Sequence, residues 1–308
     1  MSSNPTLLVT GSNGFIGSAI VSQAASSGFN VTGLSLHDDS GKKYEAKSNH
    51  IFANVADAGA LIQAIGDQKF DYVINCSGYI DHSTYSKGGD RQIDTHFAGL
   101  RNLINCVKHT DLKGFVQIGS SDEYGDARAP QHEGLRESPI SPYSFAKTAS
   151  GHFLQMLYHT EKFPGSVARL FLVYGPGQNQ HRFLPQVING CLNDEEFPVS
   201  EGEQVRDFCY IEDIVNALLR LVQEQKAHGE LFNVASGKGI KIKEMIDKIR
   251  VSVGSGRPKF GMLPYRDGEN MSLIADISKI TRITGWIPTT PLDNGIESTV
   301  TWYRNLQN

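Results

Sequence analysis

The stretch Thr10-Gly11-Ser12-Asn13-Gly14-Phe15-Ile16-Gly17 follows the short apolar run Leu7-Leu8-Val9 near the start of the chain. A helical pattern runs from Gly14 to Ala25 and overlaps its end. Glycines at such a strand-to-helix turn let the backbone turn tightly, let a pyrophosphate approach and let the helix pack on the strand. The helix N-terminus offers N–H groups to an anion. The spacing Gly-x-x-Gly-x-x-Gly, in this context, therefore predicts a nucleotide-binding loop.

Strand-like and helix-like patterns alternate along much of the 308-residue chain. Further apolar runs typical of buried strands are Val31–Leu36, Tyr72–Ile74, Phe115–Ile118 and Val167–Val173. Helices are predicted between and after them, at about 96–109 and 143–160. Such alternation implies right-handed βαβ units and a parallel sheet covered on both faces. We therefore predict an α/β fold, a Rossmann-like doubly wound parallel sheet with a smaller, discontinuous C-terminal substrate lobe.

The alternating rhythm breaks after Tyr174-Gly175-Pro176-Gly177. Residues 178–207 are polar and turn-rich, and the strand–helix pattern returns only briefly at 208–235. Short helices with Gly and Pro punctuation fill the remainder. We therefore assign residues 1–172 and 208–236 to the nucleotide-binding Rossmann domain. Residues 173–207 and 237–308 are assigned to the substrate lobe.

Composition and charge exclude several classes of function. Lys and Arg number 29 against 33 Asp and Glu, a formal net charge of −4, which argues against duplex nucleic acid or an anionic membrane as main partner. No apolar stretch reaches the ~18 residues that span a bilayer, and the polar segment Met1 to Pro5 predicts no cleaved signal peptide. Four scattered cysteines without a Cys-x-x-Cys pair fit a reducing compartment and exclude a zinc cage or disulfide scaffold. We expect a cytoplasmic enzyme without a metal site.

The residue that ends the second predicted strand bears on the choice of a nicotinamide cofactor. An acidic residue there would hold the ribose 2′-hydroxyl of NAD and would repel the 2′-phosphate of NADP. This position holds the neutral Ser35. His37, Lys42 and Lys43 could supply positive charge to a phosphate, although Asp38 and Asp39 lie close to them in the chain. The sequence therefore favours NADP and leaves NAD open.

Two further segments carry groups suited to acid–base chemistry. Ser120, in Gly119-Ser120-Ser121-Asp122-Glu123-Tyr124-Gly125, lies just past the C-terminal end of a predicted strand, where ligands bind in open α/β sheets. Ser141 and Pro142 predict the start of a helix that carries Tyr143 and Lys147 at i and i+4 on one face. A lysine ammonium and the positive helix end favour a phenolate, so we expect a tyrosine pKa below its usual value of about 10. Such a tyrosine can exchange a proton with a carbonyl or alcohol near neutral pH.

With these motifs the chain resembles the extended short-chain dehydrogenase/reductase family, the NAD(P)-dependent nucleotide-sugar epimerases, dehydratases and reductases. The resemblance covers the glycine loop, Ser120–Gly125, Tyr143–Lys147, Arg169–Gly177, Gly202–Asp213 and a tail from Arg266 to Pro288. It implies that Ser120 hydrogen-bonds the reacting oxygen and that Tyr143 is the acid/base. It also implies that Lys147 modulates the tyrosine and binds a ribose.

The resemblance further implies the residues that hold the cofactor and a nucleotide-diphosphate sugar. Besides Tyr143 and Lys147, the expected cofactor residues are Gly11, Asn13, Gly14, Phe15, Ile16, Gly17, Ser35, Asn54, Val55, Cys76, Ser77 and Gly78. The expected substrate residues are Tyr79, His82, Ser121, Asp122, Arg206, Arg266 and Glu269. Arg206 matches the family's arginine on the substrate diphosphate, since an Arg fork suits phosphate geometry. A homodimer is implied through the helices near His96 and Tyr143, whose faces include Leu100, Leu103, Phe153 and Leu157.

Three positions depart from the family's pattern. Leu172 stands where an Asn usually contacts the nucleotide sugar, so that contact is expected from elsewhere. Asn54 replaces an Asp at the adenine-contacting position, and His96 replaces an Asn that is common on the fourth helix.

The reactions within the family differ in what surrounds the same three residues. Many 4,6-dehydratases carry an Asp and a Glu directly after the Ser or Thr, and those places hold Ser121 and Asp122 here. Epimerases usually carry the acidic ribose ligand that Ser35 replaces. The sequence therefore favours reduction of the C4 keto group of a nucleotide-linked 4-keto-6-deoxyhexose, with hydride from nicotinamide C4 and a proton from Tyr143. The alternatives are an NAD-dependent nucleotide-sugar 4-epimerase, a 4,6-dehydratase and a non-catalytic NADP-binding sensor.

Overall fold

The computed structural model describes residues 4–37, 48–107, 111–265 and 268–307. The helices α1–α10 are Phe15–Ser26, Ala58–Ile65, Asp90–Ile93, Gly99–Val107, Pro142–Glu161, Phe183–Leu192, Ile211–Gln223, Ile242–Val253, Ser278–Thr284 and Leu292–Gln307. The strands β1–β13 are Thr6–Thr10, Asn30–Ser35, Ser48–Phe52, Tyr72–Asn75, Gly114–Ser120, Gly165–Leu170, Leu172–Tyr174, Glu196–Pro198, Val205–Tyr210, Leu231–Val234, Gly239–Lys241, Arg257–Lys259 and Ser272–Leu273. A π-helical turn, Asp94–Ala98, joins α3 to α4, and a 3-10 turn, Ser121–Tyr124, follows β5.

Seven parallel strands form the main sheet, in the order β10-β6-β5-β4-β1-β2-β3. The chain builds outward from β1 to β3 and then returns to the other side of β1 with β4. The strand order therefore reverses between β1 and β4. Ligands of open α/β sheets bind outside the carboxyl ends of the strands at such a switch point. The predicted Rossmann-like, doubly wound parallel sheet is confirmed.

Apolar side chains cover both faces of this sheet, as its near-continuous apolar strands require. In β1, Leu7 and Val9 pack into one core cluster with residues of α1 and α7, whereas Leu8 packs into a second cluster with residues of α2, α4 and α5. Leu100, Leu103 and Leu157 belong to the second cluster and are buried within the monomer. At these three positions, the helix faces that were predicted to form a homodimer interface instead pack inside the monomer. The homodimer itself stays a prediction.

Helix α5 follows the sequence prediction closely. Ser141 caps it, with its hydroxyl accepting a hydrogen bond from the Ser144 amide at 3.1 Å, and Pro142 stands in the first turn. The chain leaves the helix at Lys162 in a left-handed conformation. This capping fixes the first turn of α5, where Tyr143 lies.

Three elements differ from the prediction. Helix α6 lies in the segment predicted to be turn-rich, and its apolar residues Leu184, Val187, Ile188 and Cys191 are buried at helical spacing. Strand β3 was not predicted because it is a half-exposed edge strand without a buried apolar run. The helix predicted at about 96–109 begins earlier, at Asp90, and the π-helical turn interrupts it. Residues 108–110, at its predicted end, lie outside the described residues.

A second sheet joins strands from distant parts of the chain. Strand β9 pairs with β7 in parallel, with β11 antiparallel and with β13 in parallel. The predicted boundary between residues 207 and 208 therefore falls inside a strand that pairs wholly within this small sheet. Strand β10, in contrast, joins the main sheet next to β6. The division of the chain into two lobes stays a prediction. Among the described residues, no helix is both long and apolar enough to cross a bilayer.

Candidate active site

The glycine loop between β1 and α1 is shaped by contacts that exclude side chains. Gly11 has φ +66°, and a Cβ built on it would lie 2.6 Å from the carbonyl oxygen of Cys76. A Cβ on Gly17 would lie 2.1 Å from the carbonyl oxygen of Gly11. Within the described chain, no side chain caps α1 and its first turn holds no acidic residue. The loop therefore presents a tight, uncapped helix N-terminus that fits a pyrophosphate.

The residues at the end of β2 contact this loop. Asn13 donates from Nδ2 to the carbonyl oxygen of His37 at 3.1 Å, and the Ser35 hydroxyl donates to the same oxygen at 3.1 Å. Ser35 is buried, whereas Asn54, just past β3, is exposed and accepts from the Ala56 amide at 3.0 Å. The next residue, Val55, is buried. The segment with Asp38, Asp39, Lys42 and Lys43, which bears on the choice between NADP and NAD, lies outside the described residues.

The loop after β4 packs on a buried histidine. A Cβ on Gly78, which has φ +121°, would lie 2.1 Å from Cε1 of His96. His96 donates from Nε2 to the carbonyl oxygen of Tyr79 at 2.8 Å, and burial together with the charge of Lys147 lowers its pKa to about 3. His96 is therefore neutral and holds the segment from Cys76 to Tyr79 against the π-helical turn. Burial raises the pKa of the Cys76 thiol to about 12, so Cys76 stays protonated.

Ser120 stands at the end of β5 in a reciprocal capping arrangement. Its hydroxyl oxygen accepts from the Asp122 amide at 3.2 Å, and its own amide donates to Oε1 of Glu123 at 2.8 Å. Such a capping box fixes both the backbone and the side chain of its first residue. Because the hydroxyl accepts from the backbone, its proton can be donated to a ligand.

Tyr143 and Lys147 lie on the same face of α5, next to this turn. The Lys147 ammonium lies 5.7 Å from the centre of the Tyr143 ring and donates to the Ile118 carbonyl oxygen at 2.8 Å. Burial lowers the pKa of Lys147 to about 8. Burial raises the pKa of Tyr143 above its usual value, the charge of Asp122 raises it further, and a hydrogen bond with Ser120 opposes the rise. The predicted lowering of the tyrosine pKa is therefore wrong for this structure, because desolvation of the phenolate and the charge of Asp122 outweigh the hydrogen bond with Ser120.

A buried ion pair that the sequence does not predict lies next to Ser120. Arg169 of β6 donates from Nε to Oε2 of Glu123 at 2.8 Å and from Nη2 to Oε1 of Glu137 at 2.5 Å. Its guanidinium also lies 4.8 Å from the centre of the Tyr124 ring. The sequence offers one indication of this pair, an arginine inside a strand whose other side chains carry no charge, together with an acidic residue in the turn after β5. Glu123 is thereby occupied, which leaves Asp122 as the partly exposed carboxylate of the turn.

Two predicted substrate residues meet Tyr143 at the mouth of the site. His82 packs its ring edge-on against the Tyr143 ring, with centroids 5.9 Å apart. Its Nε2 lies 3.9 Å from Oδ2 of Asp122. Tyr79 is exposed nearby in the chain, whereas Ser121 is buried. The structure thus brings His82, Asp122 and Tyr143 together.

The predicted diphosphate arginine is bound to another predicted substrate residue. Arg206 is buried, donates from Nη1 to the Val205 carbonyl oxygen at 2.9 Å and forms an ion pair with Glu269. The neighbouring Asn270 donates to the Gly125 carbonyl oxygen at 2.9 Å, which ties this tail segment to the end of the turn after β5. Arg266 lies outside the described residues. Within the part of the chain that the structure describes, no group of three or more His, Cys, Asp or Glu could hold a metal ion.

Comparison with known proteins identifies the class that this fold and site define. The NAD dependent epimerase/dehydratase family matches residues 7–235, and the chain belongs to that family, within the extended short-chain dehydrogenases/reductases. The predicted family resemblance is confirmed.

Individual relatives are similar over nearly the whole chain. The dTDP-glucose 4,6-dehydratase 1 of Escherichia coli (strain K12) is 28% identical over 96% of this chain and 92% of that protein. The UDP-glucose 4-epimerase of Thermotoga maritima has a similar structure, with a TM-score of 0.88 at 24% identity over 98% and 100% of the two chains. A UDP-glucuronic acid 4-epimerase variant from Bacillus cereus, solved with a UDP-sugar analogue and NAD, gives a TM-score of 0.86 at 25% identity over 98% and 99%.

Proposed function

We propose that this protein reduces the C4 keto group of a nucleotide-linked 4-keto-6-deoxyhexose with NADPH or NADH. The observation that carries the proposal is the turn after β5. Its first position after Ser120 is a buried hydroxyl, Ser121, and the carboxylate of Glu123 is held by Arg169. Elimination of a 6-hydroxyl needs both an acid and a base beside the sugar, and of the three residues that follow Ser120 only Asp122 offers a partly exposed carboxylate. Reduction needs only Ser120, Tyr143, Lys147 and a reducing cofactor.

The cradle that would hold the cofactor fits a dinucleotide. Side chains at Gly11 and Gly17 would fill the space where the loop turns, and α1 presents its uncapped N-terminus there. Lys147 and the segment Cys76–Gly78 lie at the carboxyl edge of the sheet, where the nicotinamide half would extend. When bound, the reduced nicotinamide supplies a hydride to the C4 carbon.

The chain's own residues then act on the C4 oxygen. Ser120 donates its hydroxyl proton to this oxygen while accepting from the Asp122 amide, so the carbonyl is held in a fixed direction. Tyr143 keeps its proton because burial raises its pKa, and it gives this proton to the oxygen as the carbonyl becomes an alcohol. Lys147, held by the Ile118 carbonyl, stabilises the phenolate that remains.

The neutral side chain of Ser35 supports the choice of cofactor, and the similar proteins support the choice of substrate. Ser35 gives no carboxylate to repel a 2′-phosphate, and this supports NADPH, although the relative from Bacillus cereus was solved with NAD. Two of the similar proteins are named for dTDP-glucose and UDP-glucose, which supports a nucleotide-diphosphate hexose here. Arg206 is the proposed contact for the diphosphate.

A 4,6-dehydratase is the second candidate, and one observation favours it. Asp122 is partly exposed and lies near Tyr143, at the place where many dehydratases carry a base. The similarity to the dehydratase of Escherichia coli points the same way. In both dehydratases and epimerases, the hydride returns to the same sugar, so the cofactor ends in its initial state.

The ratio of NADPH oxidised to sugar converted separates these functions. With a nucleotide-linked 4-keto-6-deoxyhexose we expect a ratio near one, and no reaction with the parent hexose nucleotide. The Tyr143→Phe variant serves as the control for enzyme-dependent oxidation. Turnover of the parent hexose without net cofactor change would overturn the reductase proposal in favour of a dehydratase or epimerase.

A further inference from the structure

Three polar side chains lie in a row across the middle of the main sheet, and we name Thr10, Asn75 and Gln117 the polar row. Thr10 of β1 stands opposite Asn75 of β4, and Asn75 stands opposite Gln117 of β5. Their side chains are buried, with the three residues 0%, 4% and 1% exposed. Strands of a parallel sheet that is covered on both faces are normally apolar throughout. The polar row departs from that pattern where the strand order of the sheet reverses, between β1 and β4.

The side chains of the polar row are hydrogen-bonded to one another. The Thr10 hydroxyl donates to Oδ1 of Asn75 at 2.5 Å, and Nδ2 of Asn75 donates to Oε1 of Gln117 at 2.7 Å. The row ends at a backbone carbonyl, because Nε2 of Gln117 donates to the oxygen of Ile118 at 3.0 Å. A buried polar network whose members are all bonded fixes one arrangement of those members.

A backbone amide sets the direction of these hydrogen bonds. The Ser77 amide donates to Oδ1 of Asn75 at 3.2 Å, and a backbone N–H can only donate. The oxygen of the Asn75 side chain must therefore face Ser77 and Thr10, which leaves its nitrogen for Gln117. For the same reason, the side-chain oxygen of Gln117 faces Asn75 and its nitrogen faces Ile118. Rotation of either amide would place donor against donor.

The carbonyl at the end of the polar row also holds Lys147. Nζ of Lys147 donates to the Ile118 oxygen at 2.8 Å, and among the described residues this oxygen is the only hydrogen-bond acceptor of the ammonium. A carbonyl oxygen has two lone pairs. The donor that Gln117 presents to this oxygen therefore limits the directions from which the ammonium can approach it.

We propose that the polar row positions the Lys147 ammonium through the Ile118 carbonyl. The ammonium lies 5.7 Å from the centre of the Tyr143 ring, and a displacement of about 1 Å in a catalytic site can cost about 10²-fold in rate. The row begins at Thr10, directly before Gly11, so it links the start of the glycine loop to the lysine. This inference rests on the proposed function, because it takes Lys147 to stabilise the phenolate of Tyr143.

Apolar replacement separates positioning from stability. Gln117→Met leaves Nδ2 of Asn75 buried without its acceptor, so both the melting temperature and kcat should fall. The triple variant Thr10→Val, Asn75→Leu, Gln117→Met removes the three partners together, a change that can be nearly neutral for stability. It should recover most of the melting temperature, whereas kcat at saturating NADPH and sugar should stay about 10- to 100-fold below that of the wild type.

Thr299→Val is the matched control for the loss of a buried hydroxyl. Thr299 of α10 is as fully buried as Thr10, and its hydroxyl donates to the Gly295 carbonyl oxygen at 2.6 Å. This variant should keep the kcat of the wild type. Recovery of kcat together with the melting temperature in the triple variant would mean that the polar row is only structural, and it would overturn the inference.

The lysine itself gives a readout that does not depend on turnover. In full-length protein with isotope-labelled lysine, NMR should show the Lys147 ammonium as a resonance that is missing from Lys147→Met. It should broaden in the triple variant, because an ammonium without a fixed position exchanges its protons faster with water, and it should be unchanged in Thr299→Val. An unchanged resonance in the triple variant would overturn the inference. A wild type that does not reduce the 4-keto sugar would overturn the proposed function, and the resonance would then still decide the inference.

Discussion

Arg169 donates from Nε to Oε2 of Glu123 at 2.8 Å, and neither side chain has any exposed surface. The other carboxylate oxygen of Glu123 accepts from the Ser120 amide at 2.8 Å. Removing two charges from water costs several kcal/mol per ion, which a good pair only offsets. The pair therefore adds little net stability, and its structural effect is to hold the backbone of Ser120 in place.

Replacing one residue of this pair should lower the free energy of unfolding more than replacing both. Glu123→Ala leaves a buried guanidinium without its Nε partner, so we expect the free energy of unfolding to fall by about 3–5 kcal/mol. The double variant Glu123→Val, Arg169→Met should recover most of that loss, since apolar replacement of a buried pair is often neutral. Urea denaturation measures both. Glu196→Ala, which removes half of the exposed pair with Lys259, should change the stability by less than about 1 kcal/mol. A double variant no more stable than Glu123→Ala would contradict this account.

The phenol of Tyr143 should be needed for turnover and not for cofactor binding. Tyr143→Phe is expected to reduce kcat by about 10²–10⁴-fold, the usual contribution of a positioned acid. Fluorescence titration should show nearly unchanged NADPH affinity. Tyr158→Phe, on the same helix but beside Lys162, is the control and should keep its activity. Turnover of Tyr143→Phe within a few-fold of wild type would remove the assignment of the acid.

Lys147 should make stability depend on pH in a definite direction. Its pKa falls from 10.5 when unfolded to about 8 in the fold, so the unfolded chain binds more protons between these values. Stability must then rise with pH across this window. We expect the free energy of unfolding of the wild type, relative to Lys147→Met, to increase by roughly 3 kcal/mol between pH 7.5 and pH 10.5 or so. Denaturation at a series of pH values measures the difference, and a flat or falling difference would refute it.

A carboxylate at the end of β2 should change the cofactor preference. We expect the wild type to bind NADPH more tightly than NADH, and Ser35→Asp to reverse that order, because a carboxylate repels the 2′-phosphate. Titration of both cofactors against both proteins provides the measurement. Ser35→Asn, similar in size and uncharged, separates charge from volume. Equal affinities in the wild type would remove the argument from Ser35.

Arg206 should matter for the nucleotide sugar and not for the cofactor. Loss of a charge-assisted hydrogen bond is worth about 1.5–3 kcal/mol, and Glu269 already offsets part of it, so Arg206→Gln should weaken nucleotide-sugar binding by up to about ten- to a hundredfold. Calorimetry with the nucleoside diphosphate and with NADPH separates the two sites. Arg250→Gln, which alters an exposed pair on α8, is the control. Unchanged substrate affinity in Arg206→Gln would place the diphosphate elsewhere.

The parts of the site that depend on local sequence could be predicted. The glycine loop needs residues without Cβ at fixed spacing, and Ser141 with Pro142 caps α5, so both motifs are visible in a short window. The partnership of Glu123 with Arg169 could not be predicted, because the two residues meet only when β5 and β6 pair. For the same reason, the mutual pairing of Arg206 and Glu269 was missed. The sequence assigns each of them to the ligand, because it does not show which charged side chains pair with each other.

The contact between Gly78 and His96 could not be predicted from the sequence either. In the sequence, His96 stands out only as a departure from a family pattern. Its effect depends on the π-helical turn, which directs the ring onto a glycine eighteen residues earlier. No periodic pattern in the sequence indicates such a turn.

The ion pair between Arg206 and Glu269 has a consequence for ligand entry. An anionic group that binds the guanidinium must displace a carboxylate already in place, so recognition is an exchange of one anion for another. The net charge around Arg206 then changes less than it would around an arginine without a carboxylate partner. The binding free energy contains only the difference between the two ion pairs. In the proposed function, Glu269 is therefore a built-in competitor: it keeps the buried arginine neutralised before the ligand arrives and raises the threshold for weakly held anions.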